Sequence, residues 1–316
     1  MTYRNLATAV LILTYALIIL GGATRVFDAG VSCPDWPSCY GHLIPFPESR
    51  IPGGYIVNGL HYHWWQVALE WTHRTLAALV SLGVLALVAL GIRRPRHERK
   101  PLIAMVALLG IQIGLGGLTV LRGNIDWSVM LHLGTAMLFF ASLLWLRRAV
   151  ASGGRREPMA YPAFTKAVVY LFALVVWVTM LMGAMVSSSY SGGSCGGLFS
   201  CGGQWWPADL QQHLNMMHRY LALTTAITSV ILVILAKRTA PAKGPNLRAS
   251  AMHSHGMVWG QVALGIATLY SFAYYPAYYQ LLSTTHLAWG TLVWLAAFGT
   301  ILTLHYGNHG RFHAQR

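Results

Sequence analysis

Glu70-Trp71-Thr72-His73-Arg74 opens a hydrophobic run that continues through Thr75-Leu76-Ala77-Ala78-Leu79-Val80. Reading that run as a bilayer-spanning helix decides the fold. Three residues of helix turn through about 300°, so Glu70 and His73 leave nearly the same face one turn apart. An ionisable pair near the end of such a helix is costly and by default marks a functional site. A partial copy, Asn215-Met216-Met217-His218-Arg219, stands farther along the chain. It keeps the His-Arg pair and replaces the carboxylate by an amide.

Composition supports the membrane reading. Of 316 residues 55% are apolar and 9% charged, and the mean hydropathy is +0.51, which excludes an ordinary soluble domain. A span takes roughly 20 mostly apolar residues. Eight such segments are expected, at about 6–24, 65–92, 102–121, 127–147, 165–187, 209–236, 251–272 and 281–304. The first runs long and no small-x-small site follows it, so it reads as a span and not as a cleaved signal peptide. The net charge of +14 is confined to alternate connections: Arg93, Arg94, Arg96, Arg99 and Lys100; Arg147, Arg148, Arg155, Arg156 and Lys166; Lys237, Arg238, Lys243 and Arg248. The other connections carry only Arg25, Arg50 and Arg122. This positive-inside pattern puts both termini in the cytoplasm and leaves no basic face for nucleic acid.

By that topology Cys33, Cys39, Cys195 and Cys201 all lie in outer loops, where disulfides persist. Each pair is spaced C-x5-C, which fits neither zinc nor a thioredoxin motif. Two local disulfides are the favoured reading, and a redox role for one pair is the alternative.

The two halves repeat one plan. Leu181-Met182-Gly183-Ala184 echoes Leu20-Gly21-Gly22-Ala23, the cysteine pairs echo each other, and so do His73-Arg74 and His218-Arg219. Gln261-Val262-Ala263-Leu264-Gly265 echoes Gln112-Ile113-Gly114-Leu115-Gly116, and His286 echoes His132. The expected architecture is therefore an all-α integral membrane protein of eight helices in two pseudosymmetric four-helix bundles. Its halves are 1–150 and 163–316, joined by a cytoplasmic linker over 151–162 rich in Ser, Gly and Arg. Gly110, Gly114, Gly116 and Gly117 are expected to let helices pack closely.

His73, His132, His218 and His286 each fall one to two turns inside the outer end of an even-numbered span. Two helices of each bundle can then present facing imidazoles, a pattern that suits a bis-imidazole heme. One such histidine alone would read as a hydrogen-bonded core residue; four at matched depth favour ligation. Arg74 and Arg219 are candidate propionate partners, with snorkelling as the competing role. His213 points away from the site. His61 and His63, just before Glu70, fit either a substrate edge or an interfacial place, and His97, His253, His255, His305, His309 and His313 fit solvated ones. Glu70 stands beside one pair only, where it offers proton acceptance or charge stabilisation.

These residues together resemble the heme A synthase family in its bacterial membrane (CtaA) form. The resemblance rests on Glu70-x-x-His73-Arg74, His132, His218-Arg219, His286 and the two loop cysteine pairs, and covers essentially the whole chain. It implies an oxidoreductase of the cell membrane that turns the ring methyl of heme O into a hydroxymethyl and then the formyl group of heme A. Water would be the oxygen source. It places substrate heme O between His73 and His132 with Glu70 near the reacting methyl, and heme b as cofactor between His218 and His286. The partners it implies are the lipid bilayer, heme O synthase, heme-copper (cytochrome) oxidase assembly factors and an unidentified electron acceptor. A diheme b-type cytochrome without substrate oxidation is the rival reading, and a transporter or heme-handling scaffold a further one.

Overall fold

The computed structural model describes residues 2–45, 47, 51, 53–153, 161–239 and 247–306. Expectations for Arg50, for Arg155 and Arg156 of the linker, and for Lys243, His309 and His313 lie outside the described residues. The helices are α1 (Tyr3–Val26), α2 (Trp64–Gly91), α3 (Arg99–Leu121), α4 (Asp126–Ser152), α5 (Ala163–Ser188), α6 (Leu210–Thr239), α7 (Leu247–Tyr274) and α8 (Tyr279–Tyr306). All eight are long and apolar enough to cross a membrane. The shortest has 23 residues, or about 35 Å of helix against a hydrocarbon core of about 30 Å. A helix satisfies its own backbone, which hydrocarbon requires. Hydroxyls inside the bundle follow suit by donating one turn back, as Thr14 does to the Val10 carbonyl at 2.8 Å and Thr225 to Leu221 at 2.9 Å.

The expected spans hold, with longer ends. α4 runs past Arg147 and Arg148 to Ser152, because Arg147 Nε finds the Thr8 hydroxyl of α1 at 3.0 Å. It stops at Gly153, whose φ of 56° suits a residue without Cβ. Neighbouring helices run antiparallel: Tyr3 at the start of α1 donates to the Leu87 carbonyl near the end of α2 at 3.2 Å. One end of the molecule therefore carries the two long loops. The other carries the α2–α3 turn, where the Arg94 guanidinium grips Glu98 at 2.8 and 2.9 Å and lies over the Tyr3 ring. We call these the loop end and the basic end.

α1–α4 pack among themselves, as do α5–α8, and α1, α4, α5 and α8 meet between them; this is compatible with two four-helix units. The central core holds Phe140 of α4, Phe172 of α5 and Trp294 of α8. Two matched hydrogen bonds cross it: Tyr15 of α1 to the Ala288 carbonyl of α8 at 3.2 Å, and Trp177 of α5 to the Gly134 carbonyl of α4 at 3.1 Å.

The loops close with the same device twice. Cys33–Cys39 and Cys195–Cys201 are disulfide-bonded, with Cα separations of 4.7 and 5.0 Å. Arg74 donates into the first loop, to the carbonyls of Cys33 (3.2 Å), Ser38 (2.7 Å) and Asp35. Arg219 donates into the second, to Cys195 (2.8 Å), Leu198 (3.4 Å) and Gly197. The first loop contains a hairpin, β1 (Ile56–Val57) with β2 (Leu60–His61). It turns on Asn58-Gly59, whose φ values of 50° and 79° are positive.

Asp35 locks the first loop from inside, accepting from the Tyr40 N–H (2.6 Å), the Gly41 N–H (2.9 Å) and the Ser38 hydroxyl. Burial pushes its carboxyl up, but these bonds to the ionised form outweigh it and hold the group below the usual value. A depressed folded pKa contributes stability that is present at neutral pH and lost as pH falls through the folded value. Asp35→Asn, with one acceptor oxygen in place of two, is expected to speed amide exchange at Tyr40 and Gly41 several-fold at pH 7. Measured by hydrogen-exchange mass spectrometry, the difference between variant and wild type should shrink at about pH 3, below the ordinary aspartate range.

Candidate functional site: four histidines in two matched pairs

His73, His132, His218 and His286 lie about two turns inside the loop ends of α2, α4, α6 and α8. Each ring edge faces a glycine on the preceding helix. A Cβ on Gly21 would stand 2.7 Å from His73 Cε1, on Gly116 3.2 Å from His132, on Gly183 3.0 Å from His218, and on Gly265 3.1 Å from His286. A Cβ at Gly21 would force His73 to shift, and one at Gly116, Gly183 or Gly265 would make its imidazole give by a few tenths of an ångström. These contacts also correct the repeat by one residue: Gly183 corresponds to Gly21, not to Gly22. Gly22 instead admits Leu287 of α8.

The rings are oriented by their surroundings. His218 Nδ1 donates to the Thr179 carbonyl of α5 at 3.2 Å, which leaves Nε2 as the nitrogen with a lone pair. The matching carbonyl in the first half, Leu17, lies beside His73. Gln112 Nε2 stands 3.1 Å from His132 Nε2, and Gln261 Nε2 stands 3.1 Å from His286 Nε2. Nδ1 of His73, His132 and His286 is buried with no hydrogen-bond partner among the described residues. Buried polar nitrogens are rarely left so unless the site engages them otherwise.

The second pair tests the fit to an iron porphyrin. The His218 and His286 ring centroids are 6.4 Å apart with planes 82° from parallel. Two imidazoles bound on opposite sides of one metal ion, at about 2 Å per metal–nitrogen bond, put their centroids about 6 Å apart. Among the described residues no group of three or more His, Cys, Asp or Glu gathers as a metal site. Two imidazoles therefore suit a metal that brings its remaining ligands with it, as a porphyrin iron does.

Glu70 breaks the symmetry. Its side chain is buried, and its Oε1 accepts from Arg74 Nε at 2.7 Å. Asn215 instead donates Nδ2 to the Ser191 carbonyl at 2.6 Å and the Gly192 carbonyl at 2.9 Å. The amide is a loop anchor, whereas the carboxylate is balanced by a guanidinium within its own helix. The arginines considered as propionate partners direct their donors to loop carbonyls in both halves. His213 turns to the Pro207 carbonyl and packs edge-on against Trp206. The His63 N–H is bonded to Gln66 Oε1 at 3.0 Å.

Three features escaped the sequence reading. The Glu70–Arg74 pair has the spacing of a helical ion pair, which was there to be found. Gln112 and Gln261 stood inside the echoed segments, but repetition alone did not say that they touch the rings. Of the four glycines of α3, only Gly116 sits in a close approach; a Cβ on Gly110, Gly114 or Gly117 would meet nothing within 4 Å. The close packing expected of those three is absent.

Relatives match the chain over most of its length. The chain is 30% identical over 288 residues to a heme A synthase of Shewanella oneidensis, covering 82% of this chain and 85% of the relative. It is 28% identical over 296 residues to one of Caulobacter vibrioides, covering 81% and 84%. It is 28% identical over 329 residues to one of Granulibacter bethesdensis, covering 92% and 83%. A family model described as cytochrome oxidase assembly protein, COX15-CtaA, matches residues 4–298, and the chain belongs to that family.

Proposed function

We propose that this chain is a heme A synthase: it oxidises the ring methyl of heme O in its first half and uses heme b in its second. The observation that carries the reading is the matched pair of histidine seats with a buried carboxylate beside only one of them. An electron carrier alone has no use for that difference. The names of the relatives support the substrate class.

In this reading His73 and His132 hold substrate heme O, and His218 and His286 hold heme b. When bound, heme b supplies a one-electron relay toward an external acceptor. Thr179 fixes the tautomer and angle of His218, and Gln112 and Gln261, whose amides lie on Nε2 of His132 and His286, would release those nitrogens for them to hold a heme iron. Gly21, Gly116, Gly183 and Gly265 set how far each imidazole can retract. The first oxidation takes R–CH3 and water to R–CH2OH, and each oxidation consumes one water and releases two electrons and two protons. A second round gives the hydrated aldehyde, which loses water to the formyl group. Glu70 accepts a proton from the reacting carbon or from the incoming water, and stabilises positive charge as it develops. Arg74 holds the carboxylate in place and ties it to the disulfide loop, which covers the site against bulk water. The basic residues put the termini in the cytoplasm of a bacterial cell and the loop end, with its disulfides, on the outer side of the membrane.

Glu70→Gln is expected to keep heme O bound while the hydroxymethyl and formyl products fall at least tenfold, measured by chromatography and mass spectrometry of extracted hemes. Unchanged product yield would remove Glu70 from the chemistry. Gly183→Leu, which drives a side chain into the His218 seat, is expected to lower heme b content with little effect on heme O content.

A further inference from the structure

The duplicated halves are closed differently on one side. In α3 the face formed by Leu102, Val106, Leu109, Ile113 and Gly117 turns toward α2. At the basic end it packs: Leu102 reaches Gly91 of α2, and Leu102 and Met105 share a core with Val84 and Leu87. Toward the loop end the same face comes free. Leu109 still packs against that core, but one turn farther on Ile113 is 46% exposed, and a Cβ on Gly117 would meet open space. α2 and α3 accordingly touch far less than α6 and α7 do.

The corresponding face of α7 stays covered along its length. Ala251 and Val258 are buried, and Val262 and Ile266 are partly buried. His255, the counterpart of Val106, receives a hydrogen bond from Trp259 at 3.1 Å. It is tied by its Nδ1 to the Ser229 hydroxyl of α6 at 2.9 Å. The counterpart of Ser229 in α2 is Val84, which can form no such tie. The open seam of the first half lies level with His73 and with the Gln112 and Gly116 contacts to His132.

We propose that the loop-side seam between α2 and α3 is a lateral portal for the substrate. It holds the isoprenoid chain of the porphyrin while the ring sits between His73 and His132. This deepens the function proposed above and rests on it. A substrate with a long apolar chain must enter and leave, and the only medium that solvates the chain is the bilayer beside the seam. A retained cofactor without such a chain needs no opening, and the α6–α7 seam is sealed. Gly117 and Ile113 shape the portal, where the second half has Ile266 and Val262.

The test places the photocrosslinking residue p-benzoylphenylalanine at Ile113, and separately at Val262. Each protein is made in cells that supply heme O, purified with its hemes, irradiated, and digested for mass spectrometry. The expected result is a heme O adduct through the chain at position 113, at least tenfold above that at position 262. Heme O bound normally, but with phospholipid adducts alone at position 113 or equal heme O labelling at both positions, overturns the portal and leaves the proposed function standing. Wild-type extracts that contain neither heme O nor its hydroxymethyl or formyl products overturn both. As a second measurement, Gly117→Ile copies the sealed half and is expected to slow heme O uptake several-fold at unchanged heme b content. An unchanged uptake rate counts against the portal.

Discussion

An imidazole can stand in the middle of a close-packed helical bundle only where a neighbouring helix gives up its side chain. Four glycines, Gly21, Gly116, Gly183 and Gly265, do this for four histidines at about 3 Å. The rest of the structure depends on that constraint. It fixes which faces of α1 and α2, α3 and α4, and their copies must meet, and it fixes the depth of the site below the loop end. It also explains why the rings are paired with backbone carbonyls and amide side chains and not with carboxylates. In a low-dielectric interior a ring nitrogen can be steadied by a dipole without adding a charge that would itself need a partner.

The one charge that is present is handled within a single helix turn. Glu70 and Arg74 form a buried pair at 2.7 Å, and the remaining donors of Arg74 are taken by the disulfide loop above. Removing one member of such a pair costs roughly 3–5 kcal/mol, because the other is left charged and buried. The carboxylate and the disulfide loop are thereby tied together through Arg74, on the helix that carries His73. In the second half the same loop is held by Arg219 and by Asn215, and no charge is left for chemistry. A single Glu-for-Asn difference gives one histidine pair a neighbouring carboxylate and the other an amide.

Much of this was legible in the sequence, for physical reasons. Eight spans announce themselves because hydrocarbon tolerates few charges over about 20 residues. The histidines and Glu70 stood out because polar groups are rare in such segments, and the loop cysteines because the same C-x5-C spacing recurs in both halves. The register of the repeat did not, because Leu20-Gly21-Gly22-Ala23 and Leu181-Met182-Gly183-Ala184 align almost equally well one residue apart. Only the ring contact at Gly21 decides between them. Glycines in an apolar helix carry the same letter whether they seat a ring, as Gly116 does, or face open space, as Gly117 does. The arginines were read as reaching for a ligand or for headgroups, whereas their planar five-donor fork matches the converging carbonyls of a tight disulfide loop.

The central claim is that one pair of histidines serves a substrate and the other a cofactor. Its most direct test is the identity of the hemes extracted from the purified wild-type protein, made in cells that also make heme O. The account predicts heme b together with heme A or its hydroxymethyl precursor. Heme b alone, while heme O is abundant in the same membranes, would contradict it and point to an electron-carrying cytochrome.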